Sequence, residues 1–183
     1  MKKTVLTFGI IAGVTISILM GGSLLVANKI GSGHSMVLGY TMMVASFLLI
    51  YFGIRSYRDN ELAGQISFGR AFTCGLLITL ITCVFYVAMW EIVYFNFIPH
   101  FMDSYWAAQI QQVQAAGLDA ATTAAKVAAI QHQQQLYQNP LVNMAYTFME
   151  PLPVGLLITL ISAAILRRKA LAVANHAPAV ITN

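Results

Sequence analysis

Six carboxylates, four histidines and two cysteines are the acids, bases and metal ligands that a chain of 183 residues offers here. Two of the carboxylates, Glu91 and Glu150, fall within or at the edge of long apolar stretches, where an ionisable group is a functional candidate by default. Depth decides what they can do. At 1.5 Å per helical residue, Arg70 to Glu91 covers about 31 Å and Glu150 to Arg167 about 25 Å, against a hydrocarbon thickness of about 30 Å. Both carboxylates are therefore expected near the same membrane boundary, roughly 5–10 Å apart in depth. They could pair across a helix bundle as a proton or cation site. The plainer expectation is a pair of wetted interfacial groups, with Glu150 beside a helix start or kink marked by Pro151 and Pro153.

The other candidates carry less. His34, His100, His132 and His176 are scattered at no spacing that a metal would impose, and His100, Asp103 and Trp106 make no zinc-like set. Cys74 and Cys83 lie nine residues apart in one apolar segment, on opposite faces of a helix, so they cannot bridge within it. No phosphate loop, zinc-protease motif or nucleophile elbow occurs. We expect no catalytic, cofactor-binding or metal-binding residue and no enzyme. The densest charge is the stretch Arg55–Arg70, RSYRDNELAGQISFGR. Asp59 and Glu61 within it are one residue apart, too few ligands for a metal. Arg55, Arg58, Asp59, Asn60 and Arg70 join Glu91 and Glu150 as candidate functional residues.

What positions them is a set of long apolar segments. The chain is 58% hydrophobic and 9% charged, with a mean hydropathy of +0.73. A soluble domain carries roughly a quarter charged residues, so this one has too little polar surface for water. The expectation is an all-α polytopic membrane protein with transmembrane helices near residues 4–27, 36–54, 71–95 and 145–166. Residues 1–169 form one membrane domain, and residues 170–183 a flexible cytoplasmic tail. The first segment is too long for a signal peptide. A turn is expected from Asn28 to Ser35, with His34 solvated in it. Between the third and fourth spans, residues 99–140 are rich in Ala and Gln and are expected to form a helical excursion. Gly117 breaks it, Asp119 caps its second half, and Val127, Ile130 and Tyr137 form a narrow apolar stripe.

Small residues mark helix contacts. Gly9, Gly13, Ser17 and Gly21 line one face of the first span at four-residue intervals, the small-xxx-small pattern of membrane packing. The heptapeptide GLLITLI occurs twice, at Gly75–Ile81 and Gly155–Ile161, in helices of opposite direction. The flanking sequences differ, so an inverted transporter repeat is the weaker reading. The stronger is a close-packing notch in each helix, made by Gly75 with Thr79 and by Gly155 with Thr159.

Charge sets the orientation. With the N-terminus inside, Lys2, Lys3, Arg55, Arg58, Arg70, Arg167, Arg168 and Lys169 are cytoplasmic, and only Lys29 and Lys126 face outward. That bias places both termini in the cytoplasm and the excursion outside. The net charge of +4 therefore reflects topology, not nucleic acid binding.

The combination of FGIRSYRDN at Phe52–Asn60, ISFGRAF at Ile66–Phe72, GLLITLI, PVGLL from Pro153 and LRRK at Leu166–Lys169 resembles the bacterial integral membrane proteins of the domain of unknown function 4199 family. The resemblance runs from Met1 to about Lys169. It implies a multi-pass protein of the bacterial inner membrane and brings no activity, substrate, cofactor or catalytic residue. The functional expectation is a non-enzymatic accessory, scaffold or partner-binding protein, in contact with the lipid bilayer and with copies of itself or another membrane protein. The alternative is a subunit of a small oligomeric transporter or channel, which would use hydroxyls such as Thr15, Ser17, Ser46, Thr79 and Thr159.

Overall fold

A computed structural model describes the backbone of residues 1–30, 32–97 and 101–168, and side chains outside 24–36 and 98–101. The expectations for Lys29, His34, His100, His176, Lys169 and the tail 170–183 fall outside these described side chains. Among the described residues seven helices follow in order: α1 (Lys2–Ile30), α2 (Ser32–Glu61), α3 (Phe68–Asn96), α4 (Phe101–Ala115), α5 (Ala120–Tyr137), α6 (Pro140–Met149) and α7 (Pro151–Leu166). Four stretches of these residues are long and apolar enough to cross a membrane: Lys2–Ser23, Val37–Glu61, Phe68–Asn96 and Pro140–Leu166.

Large apolar side chains line the outside as well as the core: Leu6, Ile18, Val84, Leu157 and Ile165 point outward, while Phe47, Ile50, Ile54 and Ile78 are buried together with the small and hydroxyl residues Ala12, Ser46, Cys74, Thr79, Thr82, Cys83, Thr159 and Ser162. Lipid is as apolar as Leu, so close approach of small and hydroxyl residues holds such helices together. α3 is the hub, packing against α1, α2, α6 and α7, while α2 joins α1 to α7. That position explains how Cys74 and Cys83, on opposite faces of α3, are both buried and free.

Each small-residue face has a partner. Methyl groups added at Gly9 and Gly13 would meet Ile81 and Phe85, and one at Gly21 would lie 3.2 Å from Met89 Cε. The stripe on α1 thus seats the i, i+4, i+8 ridge of α3, and Ser17 turns its hydroxyl back to the Gly13 carbonyl at 2.8 Å. The two GLLITLI segments meet each other. A Cβ on Gly75 would lie 2.8 Å from Thr159 Cγ2, and one on Gly155 would run into Thr79 Cγ2. Each glycine receives the other helix's threonine.

Three segments depart from the sequence-based bounds. Residues 28–30 and 32–35, expected within a turn, belong to helices α1 and α2, because the apolar runs on either side carry their helices into it. Residues 55–61 belong to helix α2, not to a loop. Their charges are satisfied along the helix surface, Arg55 with Asp59 at 3.6 Å and Asn60 Nδ2 with Ser56 Oγ at 3.1 Å. Four-residue spacing of this kind supports a helix. The reversal is confined to residues 62–67, where Ala63 and Gly64 take left-handed backbone (φ +50° and +81°). Gly69 lies inside α3 and is not used for the turn. Tyr57 is buried, while Phe68 is exposed and stacks on Phe72.

The last span is broken. Glu150 keeps helical backbone (φ −71°, ψ −56°) between α6 and α7, so the direction continues. Pro151 and Pro153 have no N–H for the carbonyls one turn earlier, which interrupts the ladder there. Before this span, α4 and α5 form a hairpin turned at Gly117 (φ +66°). Asp119 caps α5 by accepting from Thr122 N at 2.9 Å, and hydrogen bonds from the Thr122 side chain and then its backbone hold the Asp119 carboxyl below the usual range.

Candidate functional site

Candidate residues gather at the two ends of the bundle. At one end the start of α1, the end of α2, the start of α3 and the end of α7 come together. Arg58 is buried there and grips Asp59 with two donors, Nε to Oδ1 at 2.6 Å and Nη2 to Oδ2 at 3.1 Å. Its Nη1 reaches the Leu166 carbonyl at 3.5 Å, across from the last helix. Glu61 accepts from the Met1 amino group and from the Thr4 hydroxyl, so the end of α2 is tied to α1. Ile66 and Arg168 exchange backbone hydrogen bonds at 3.1 and 3.0 Å, an isolated antiparallel bridge that closes the turn onto the chain beyond α7.

The carboxylates at this end therefore have occupations that diverge. Asp59 neutralises Arg58 and Arg55, while Glu61 faces α1, and they do not converge on one point. Asn60 is engaged with Ser56, and the Arg70 side chain is exposed at the start of α3, beneath the Ser67 cap. Lys2, Lys3, Arg55, Arg70, Arg167 and Arg168 form an exposed basic rim around the clasp. The arrangement is suited to fastening helix ends and to meeting anionic headgroups. Among the described residues, no group of three His, Cys, Asp or Glu is placed to hold a metal ion.

At the opposite end the two glutamates take separate surroundings. Glu150, at the break between α6 and α7, accepts from Tyr86 Oη at 2.9 Å. Glu91 lies five residues further along α3, about 140° around the helix and about 7.5 Å along it. Both of its carboxylate oxygens are enclosed and have no hydrogen-bond partner among the described residues. Neither carboxylate is hydrogen-bonded to the other.

Beside them an aromatic cluster seats the hairpin. Trp90 Nε1 donates to Tyr137 Oη at 3.1 Å, and the Tyr137 ring lies 6.0 Å from Trp106 and 6.2 Å from Tyr94, edge to face. Burial pushes the Tyr137 phenol up from its ordinary value. Asn143 and Thr147 on α6 are buried beneath, with Thr147 Oγ1 donating to Asn143 Oδ1 at 3.2 Å. The pairings Tyr86–Glu150 and Trp90–Tyr137 join distant segments and have no local signal in the sequence.

With the clasp, the broken last span and the paired heptapeptides in view, comparison with known families becomes informative. The profile of the family described as "Protein of unknown function (DUF4199)" matches residues 7–168. The chain belongs to that family. The match includes both ends of the DUF4199 bundle, from the first turns of α1 to the Arg168 bridge, and the whole α4–α5 hairpin between them. No curated protein and no solved structure matches this DUF4199 chain.

Proposed function

We propose that this protein is a non-enzymatic membrane protein, an accessory or scaffold that binds a partner through its α4–α5 hairpin. In this reading it lies in a bacterial inner membrane with both termini cytoplasmic and the hairpin periplasmic. Seven of its basic residues, Lys2, Lys3, Arg55, Arg58, Arg70, Arg167 and Arg168, belong to the clasped end, which favours the cytoplasmic face for that end. The single observation that carries the function is the surface of α5. This helix is 18 residues long and buries none of them. Val127, Ile130 and Tyr137 are half-buried, while Ala124, Ala128, Gln131 and Gln135 are exposed along another face. A helix of small and amide side chains held out from a well-filled bundle offers partner-binding area without chemistry of its own.

The test is capture from native membranes. The full chain is expected to retain a specific protein, and Ala128→Glu with Gln135→Glu is expected to lose it without loss of the bundle. Capture that is indifferent to these substitutions would remove the hairpin from the interface. The second reading, a subunit of an oligomeric transporter or channel, draws on Ser46, whose buried hydroxyl has no partner among the described residues. It would gain if Glu91→Gln with Glu150→Gln abolished ion or solute flux in reconstituted vesicles, and it fails if flux is unchanged.

A further inference from the structure

Glu91 presents a chemical mismatch that the packing of the bundle does not resolve. Its carboxylate oxygens are enclosed and have no partner among the described residues, and a polar group withdrawn from water without a partner costs several kcal/mol, more when ionised. The side chain borders a groove of about 480 Å³ between α3 and α6, lined otherwise by Val84, Val87, Ala88, Met144, Ala145 and Phe148. Every other lining side chain is apolar, so no donor within the groove can answer the carboxylate. Val84, Ala88, Met144 and Ala145 are exposed on the outer surface of the bundle, so in a bilayer this wall faces lipid.

The groove has a direction. Glu91 lies toward the Asn96 end of α3, beside Trp90 and Tyr94, the kinds of side chain that mark a membrane interface. From there the apolar lining descends α3 to Val84, about 10 Å toward the middle of the bilayer. The carboxylate thus stands at headgroup depth, above a hydrocarbon channel. A volume of this size matches one small ligand.

We propose that this groove is a lipid-binding site selective for a phospholipid with a primary ammonium headgroup. On binding, the Glu91 side chain turns its carboxylate from the enclosed position into the groove, the ammonium donates to it, and one acyl chain lies along Val84, Val87, Ala88 and Phe148. A charge-assisted hydrogen bond of this kind is about twice as strong as a neutral one. A quaternary ammonium has no N–H to give, and a glycerol headgroup has no positive charge.

The experiment measures lipid retained by the purified full chain in native mass spectrometry. Phosphatidylethanolamine, phosphatidylcholine and phosphatidylglycerol with identical acyl chains are offered separately. Retention of phosphatidylethanolamine is expected to exceed that of both others by about tenfold, the ratio that about 1.4 kcal/mol supplies. Glu91→Gln is expected to abolish the preference and Glu91→Asp to keep part of it. Ala88→Leu, which fills the groove without touching the carboxylate, is expected to lower retention of all three. Equal retention of phosphatidylethanolamine and phosphatidylcholine, or an unchanged preference in Glu91→Gln, would overturn the proposal. So would a lipid-free dimer that Ala88→Leu dissociates, which would assign the groove to a second copy of the chain.

Discussion

Thr79 and Thr159 stand hydroxyl to hydroxyl, 3.0 Å apart in the buried centre of the bundle, though 80 residues separate them. Thr79 Oγ1 also lies 3.0 Å from the Gly75 carbonyl, so a Thr159 hydroxyl that donates to Thr79 leaves the Thr79 proton for that carbonyl. Their methyl groups enter the opposite notches at Gly155 and Gly75. One sequence, GLLITLI, thereby supplies both sides of an antiparallel helix contact.

That reciprocity gives the first prediction. Gly155→Ala drives a methyl into Thr79 Cγ2 and is expected to cost about 1–3 kcal/mol, the usual range for overpacking. Thr79→Ser removes that methyl and keeps the hydroxyl. The double variant is expected to recover most of the loss in a detergent unfolding titration. A double variant no better than Gly155→Ala would show that the notch is not what limits the contact.

The second concerns alkali. The folded Tyr137 phenol is held above its ordinary value by burial, so the folded state keeps its proton after the unfolded state has lost it. The contribution of this site is then whole below the unfolded value of about 10 and is lost as pH rises past it. The chain's two tryptophans, Trp90 and Trp106, both adjoin Tyr137. Their emission is expected to shift as the hairpin loosens above that pH. In Tyr137→Phe the alkaline step should shrink, and an unaltered step would assign the transition to another group.

The turn at residues 62–67 gives a third. Ala63 holds φ +50°, a conformation that costs an L-residue roughly 1–2 kcal/mol. Ala63→Gly is expected to raise stability by up to about 1 kcal/mol and Gly64→Ala to lower it by about the same amount. Thermal unfolding of the two variants against the parent reads both signs. Opposite signs would mean that the turn relaxes to another backbone.

Orientation is checked with reporter fusions. A fusion after Lys169 is expected to be active only as a cytoplasmic reporter, and one placed within residues 111–135 only as a periplasmic one. An outward C-terminus would reverse every assignment of side made above.

The sequence held much of this fold because the strongest signals were local. Apolar run length located four crossing segments, four-residue spacing located the α1 face that seats Ile81, Phe85 and Met89, and Gly-xxx-Thr located both halves of the central contact. Charge misled at residues 55–61, since a dense run of ions looks like a loop while Arg55–Asp59 and Asn60–Ser56 pair along a helix. The candidate sites were half legible. Glu91 and Glu150 announced themselves as carboxylates among apolar residues, but Tyr86 as the partner of one and the groove beside the other depend on how distant helices meet.

The Arg58 to Leu166 contact spans 108 positions, and the Ile66 to Arg168 bridge closes the same end. A chain made N-terminus first has α1, α2 and α3 in place long before either partner exists. Until then the notch at Gly75 lacks Thr159 and the turn at residues 62–67 has nothing to bridge. The last span is therefore the keystone of assembly. Its arrival fills the central notch and, in the same event, latches the end of the bundle behind it.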